Sequence, residues 1–208
     1  MKKKGKTALS ARLTALCMAA LMAFSLMPAQ TADAAGETYT KVTSADELTD
    51  GRYIMVTDTG YAPGVLEGAW VTAEQIAADG ESGIQPGDSI QENENVVWEL
   101  TVTSAKDAAD LTVTLKDKNG TFIAPKGGNN NGIKEGKYDW KVELDQENQK
   151  FTFAGQEDDT VVLASNKGSQ NKFRAYKTAT VNGNPNAYPS EFTLYKADDG
   201  GSSSVTVA

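Results

Sequence analysis

The residues best suited to chemistry are amides set beside lysines and aromatic rings. Lys126, Asn129, Asn130 and Asn131 share one Gly-rich stretch. Asn166, Lys167, Gln170 and Asn171 share a second, followed by Arg174 and Tyr176. An amide both donates and accepts, which matches a sugar hydroxyl. An aromatic ring offers an apolar platform to the C–H face of a sugar, and Trp70 and Tyr61 are further candidates for that part. The same residue types also make tight turns with φ > 0, so a purely structural role competes with binding along both stretches. Lys126, Lys167, Lys172, Arg174 and Lys177 would also suit a phosphate polymer, held with a steep dependence on salt.

Composition removes most other chemistry. The chain has no His, and its one Cys is Cys17. Beyond residue 35, Cys/His zinc sites, disulfides and His-assisted nucleophiles are therefore impossible. That part holds 15 basic and 27 acidic residues, a net charge of −12, which disfavours broad nucleic-acid binding. Two carboxylates flanking a cleft would suffice for glycoside hydrolysis. The acidic residues follow no such signature, however, and the pair Asp158-Asp159 falls in an expected hairpin turn. No catalytic residue is assigned and no enzyme is expected. Between Tyr53 and Ala105 there is no Lys or Arg, while Asp79, Glu81, Asp88, Glu92 and Glu94 crowd one segment. Hard cations want several carboxylates, so calcium is conceivable there. The spacing fits no ordered calcium loop, and the expectation is a solvated acidic loop with no metal or other cofactor.

The elements that must position these residues read as strands. β-branched or alternating runs occur at 39–43, 52–57, 96–103, 111–116, 121–124, 138–144, 150–154, 160–164, 172–176 and 191–196. Asp50-Gly51, Asn119-Gly120, Asn131-Gly132 and Asn182-Gly183 supply turns between them. Ser44 to Leu48 allows one helical turn, and a second short helix is conceivable over 72–78, capped by Thr72. A pattern recurs three times: Asp58-Thr59-Gly60-Tyr61-Ala62-Pro63-Gly64, Asp117-Lys118-Asn119-Gly120-Thr121-Phe122-Ile123-Ala124-Pro125, and Asp158-Asp159-Thr160-Val161-Val162-Leu163-Ala164. The Lys126 and Lys167 loops lie 41 residues apart, and Trp98 and Trp140 lie 42 apart. Both Trp residues alternate with charged neighbours and are expected in the core. A unit of this size cannot bury its own apolar face, so it must close against its siblings. The expected fold is all-β: a closed, β-trefoil-like barrel of three repeats of about 40 residues, with an acidic insertion at 73–95 in the first. A β-sandwich is the alternative.

The N-terminus has the form of an export signal. Lys2, Lys3, Lys4, Lys6 and Arg12 precede an apolar run from 13 to 27, and Ala32-Asp33-Ala34 offers a cleavage site. The run is short of the roughly 20 residues a spanning helix needs. The expected organisation is a signal peptide at 1–35, a single all-β module at 36–196, and a linker-like Gly/Ser tail at 197–208. The product would be secreted, with no membrane span after cleavage.

Several strings resemble a known module. They are Gly60-Tyr61-Ala62-Pro63-Gly64-Val65-Leu66, the run from Ala124 through Gly127-Gly128-Asn129-Asn130 to Lys134, Leu163-Ala164-Ser165-Asn166-Lys167-Gly168, Asn171-Lys172-Phe173-Arg174-Ala175-Tyr176, and Tyr188-Pro189-Ser190-Glu191-Phe192-Thr193-Leu194-Tyr195-Lys196. The chain resembles an accessory module of secreted bacterial proteins, found beside endonuclease/exonuclease/phosphatase-type and metallophosphoesterase-type catalytic domains. The resemblance spans 39–196 and implies a non-catalytic domain, with any nuclease or phosphatase chemistry in the neighbour. The expected function is thus binding of a glycan or cell-surface polymer through Lys126, Asn129, Asn130, Asn166, Lys167, Asn171, Arg174, Tyr176 and Trp70. The alternative is a structural module that contacts a partner protein beside an extracellular hydrolase.

Overall fold

The computed structural model describes residues 38–76, 89–91, 94–104, 111–127, 131–156 and 161–198. All of these belong to one compact unit, Gly36–Ala208. The unit is all-β and almost entirely antiparallel. Its strands are β1 (Thr38–Lys41), β2 (Gly51–Thr57), β3 (Tyr61–Glu67), β4 (Trp70–Gln75), β5 (Ser89–Gln91), β6 (Val97–Ser104), β7 (Thr112–Lys116), β8 (Ile123–Pro125), β9 (Ile133–Glu135), β10 (Trp140–Asp145), β11 (Lys150–Gly155), β12 (Val161–Asn166), β13 (Lys172–Lys177) and β14 (Phe192–Ala197). No helix among the described residues is long and apolar enough to cross a membrane.

Pairing follows a definite order. The strands β11, β10, β7, β6, β2 and β14 are hydrogen-bonded in sequence, and β11 pairs again with β14, so the six form a ring. Three residue pairs face one another across neighbouring ring strands: Tyr53 opposite Trp98, Val113 opposite Trp140, and Phe151 opposite Phe192. All six side chains are buried in the largest apolar cluster. Each buried indole N–H meets a carbonyl, as it must away from water. Trp98 Nε1 donates to Pro63 O at 2.8 Å, and Trp140 Nε1 to Ile123 O at 3.1 Å. Between successive ring strands lie three hairpins: β3 with β4, β8 with β9, and β12 with β13. The first and third are joined by a β4–β13 pairing, Phe173 opposite Val71.

Three expectations change. The proposed helix from Thr72 is the strand β4, because Thr72 Oγ1 accepts the Val65 N–H across the hairpin at 2.8 Å instead of capping a turn. The Asn182-Gly183 turn is instead the end of a short helix, α1 (Thr178–Gly183), anchored by buried Val181. The single turn at Ala45–Glu47 is present, yet Ser44 makes no side-chain cap; Glu47 reaches back to Thr43. Most of the acidic insertion, including Asp79, Glu81, Asp88 and Glu92, lies outside the described residues, as does Asp158-Asp159. Among the described residues no three acidic, Cys or His groups gather to hold a metal.

Candidate functional site

The alternation of β13 places Phe173 and Ala175 in the core and Lys172, Arg174 and Tyr176 on the opposite face. The β4 pairing brings Trp70 to that same outer face. Lys172 Nζ lies 4.2 Å from the centroid of the Trp70 ring, and Arg174 Cζ lies 5.3 Å from it. Both cations are within the range at which the electron-rich face of an indole attracts them. Neither has a carboxylate partner among the described residues; the ion pairs there join Lys116 to Glu99, Lys141 to Glu143 and Lys150 to Asp58. Trp70 Nε1 and Arg174 Nε are both buried and have no hydrogen-bond partner among the described residues.

Tyr176 sits differently from its expected role. It is 3 % exposed, with its ring 4.9 Å from that of Tyr188. Its face is therefore covered and is not a platform open to a sugar. Burial pushes its phenol above the usual 10.0, outweighing the opposite pull of Asn166 and of the Arg174 charge. The Asn166 side chain comes near the hydroxyl without closing a well-aligned hydrogen bond.

The second amide-rich stretch turns out to be mainly conformational. Lys167–Ser169 form a single 3-10 turn, and Gln170 and Asn171 then take left-handed backbone angles, with φ of 59° and 57°. Asn tolerates that region better than most residues, so Asn171 is explained by the turn it makes. Asn166 lies opposite Lys172 across the β12–β13 ladder. Lys167 is exposed and borders a cleft of about 260 Å³ with Asp58, Thr59, Asn186, Tyr188 and Glu191. That lining includes none of Trp70, Lys172 or Arg174.

The first stretch docks beside the Trp70 cluster. Gly132 N donates to Ala175 O at 3.1 Å, Lys177 N to Asn131 Oδ1 at 3.3 Å, and Ile133 N to Ala69 O at 3.1 Å. Gly132 has little room: a Cβ there would lie 3.4 Å from Lys126 Cδ and 3.5 Å from Ala69 O. The Lys126 stem is thus folded over Gly132, next to the turn that carries Trp70. Asn129 and Asn130 lie outside the described residues.

Trp70, Arg174, Asn166 and the Lys126 loop therefore share one region, and Lys167 borders a different cleft. Lys172, the cation nearest the indole, belongs with the first group. The every-second-residue spacing of Lys172, Arg174 and Tyr176 was the signal for it. No protein-family model matches the chain, and no curated protein matches it.

Proposed function

We propose that the chain is a secreted, non-catalytic binding module of β-trefoil architecture, which grips a glycan or another cell-surface polymer through the outer face of β4 and β13. The trefoil assignment rests on three strand–hairpin–strand units, β2 to β6, β7 to β10 and β11 to β14, whose six outer strands pair in a ring. A sandwich would leave two sheets with separate edges. The binding assignment rests on one observation above all: Lys172 and Arg174 stand over the Trp70 indole with no carboxylate partner among the described residues. The non-catalytic part of the proposal rests on composition: with no His, and no Cys beyond residue 35, His-assisted nucleophiles and Cys/His zinc sites cannot form there. A position beside an extracellular hydrolase is part of this proposal, and its support is the resemblance of residues 39–196 to an accessory module.

The test is an array of bacterial and host glycans and wall polymers probed with the purified chain. Specific binding is expected, and the double variant K126A/R174A is expected to lose it while keeping the wild-type melting temperature. Binding unchanged in a folded double variant would reject this face.

A further inference from the structure

Among the described residues, four buried side-chain polar atoms lack a partner: Trp70 Nε1, Ser165 Oγ, Arg174 Nε and Tyr176 Oη. Ser165 lies opposite core-facing Phe173 on the inner side of β12. The other three belong to the outer face, where Arg174 and Tyr176 are two residues apart on one strand and Arg174 lies against Trp70. Buried polar groups are nearly always paired in native proteins; the Tyr176 hydroxyl has the Asn166 side chain beside it, but Trp70 and Arg174, in contact on one face, are both left without an acceptor. An indole N–H and a guanidinium N–H can only donate, and what completes them must be an acceptor. The charges agree. Carboxylates outnumber cations 27 to 15 beyond residue 35, yet Lys172 and Arg174 rest on an aromatic ring with no carboxylate beside them among the described residues.

We propose that the ligand of this face is a polymer bearing oxyanions (phosphate, sulfate or carboxylate), whose oxygens accept the Nε1–H of Trp70 and the Nε–H of Arg174. This rests on the assignment of the β4–β13 face as the binding surface, and adds the chemical class of what it binds. Both atoms are buried, so side chains over this face must shift to admit the oxygens, and Lys172, whose ammonium lies 4.2 Å from the Trp70 ring centroid, is the nearest flexible one. Its flexible stem permits that, and its ammonium then stays beside the incoming oxyanion. Arg suits the role better than Lys because its fork fixes the direction of each donor. The overall negative charge of the domain restricts binding to polymers that present their oxyanions to this one face.

The experiment is a titration of the full purified chain with polyphosphate, dextran sulfate, polygalacturonate and neutral dextran, together with a panel of neutral wall glycans. Tryptophan fluorescence and calorimetry are read at low and moderate salt. One or more polyanions are expected to bind, and the tightest identifies the oxyanion. Affinity should fall roughly 20- to 40-fold between 50 and 200 mM salt if about three cations take part. Two conservative variants then separate orphan donors from charge alone. W70F keeps an aromatic face but removes Nε1–H, and R174K keeps the charge but removes the Nε–H. Each is expected to weaken binding about tenfold or more with an unchanged melting temperature. Polyanion binding that survives both variants would overturn the inference, since the anions would then sit on other lysines. Salt-independent binding of a neutral glycan, lost in K126A/R174A, would also overturn it while leaving the binding face intact. Failure to bind any polymer would remove both.

Discussion

The Asp117 carboxylate accepts the backbone N–H of Leu66 at 3.0 Å, joining segments 51 residues apart. Its other oxygen accepts the N–H groups of Asn119 and Thr121, at 2.9 and 3.0 Å. Asp117 is 3 % exposed, so one buried side chain shapes the turn between β7 and β8 and ties it to β3. Removing it orphans three donors. Asp117→Ala is expected to lower stability by about 2–4 kcal/mol. In urea the midpoint should fall with an unchanged slope. A loss under about 0.5 kcal/mol, the range of ordinary surface substitutions, would mean the carboxylate is not the link between the β7–β8 turn and β3.

Gly64 is needed for space. A Cβ at that position would lie 2.5 Å from Thr72 Oγ1, which is itself held by the Val65 N–H. The hydroxyl cannot rotate away without breaking that bond. Gly64→Ala is expected to cost about 1–3 kcal/mol, the usual penalty of overpacking. Adding Thr72→Ala removes the clashing oxygen along with one hydrogen bond. The double variant should therefore be less destabilised than the sum of the two singles, in a thermal-melt mutant cycle. Simple additivity would show that no clash occurs.

The same hairpin marks the limit of what the residues disclose on their own. The strands of the ring show clear alternation because one side of each is core, as at Phe151 and Phe153 or Trp140 and Val142. Those runs marked most of the ring strands in advance. β3 contains Pro63 and Gly64, both buried, and such a pair ordinarily signals a loop. Here both residues sit in the strand for tertiary reasons: the Pro63 carbonyl accepts the Trp98 indole N–H, and the missing side chain of Gly64 makes room for Thr72. With β3 and β4 hidden, the partner strand of β13 was hidden too. Trp70 and Arg174 were both legible as candidates, but their contact depends on a pairing between distant segments that no local pattern encodes. Tyr176 looked available for the reason that Lys172 and Arg174 did, since all three share a face. Only the packing of Tyr188 distinguishes it.

Tyr176 leads to a test of the orphan hydroxyl. Its oxygen is buried without a well-formed partner, so Tyr176→Phe sheds an unsatisfied group and keeps the ring contact with Tyr188. Stability at neutral pH is expected to stay level or rise by up to about 1 kcal/mol. Burial raises the folded-state phenol above 10.0. Its contribution is then fully present below pH 10 and lost as pH climbs through the higher folded value. The variant should therefore unfold at a higher alkaline pH than the wild type. Tyr195 is also raised by burial, so the alkaline limb should become shallower without vanishing. A drop of more than about 1 kcal/mol at pH 7 would show that the hydroxyl has a productive partner.

Glu47 governs the opposite limb. Its carboxylate takes the backbone N–H of Thr43 at 2.7 Å and the Thr43 hydroxyl at 3.1 Å, closing the turn before Leu48. The backbone bond is the main reason its pKa falls below the ordinary 4.5. A depressed carboxylate stabilises the fold above the unfolded value, and that stability is lost as pH drops through the lower folded value. Glu47 is exposed, so solvent screens the effect. Leu48 is nonetheless buried against the main core, so loosening this turn reaches inward to a packed side chain. Glu47→Gln keeps an acceptor but removes the charge. Its urea midpoint at pH 7 should lie slightly below wild type, and the two curves should converge as pH is lowered from about 5 to 3. Curves that stay parallel over that interval would show that Glu47 does not contribute to the acid limb, leaving Asp145, lowered chiefly by its bonds to Asn148, as the next carboxylate to replace.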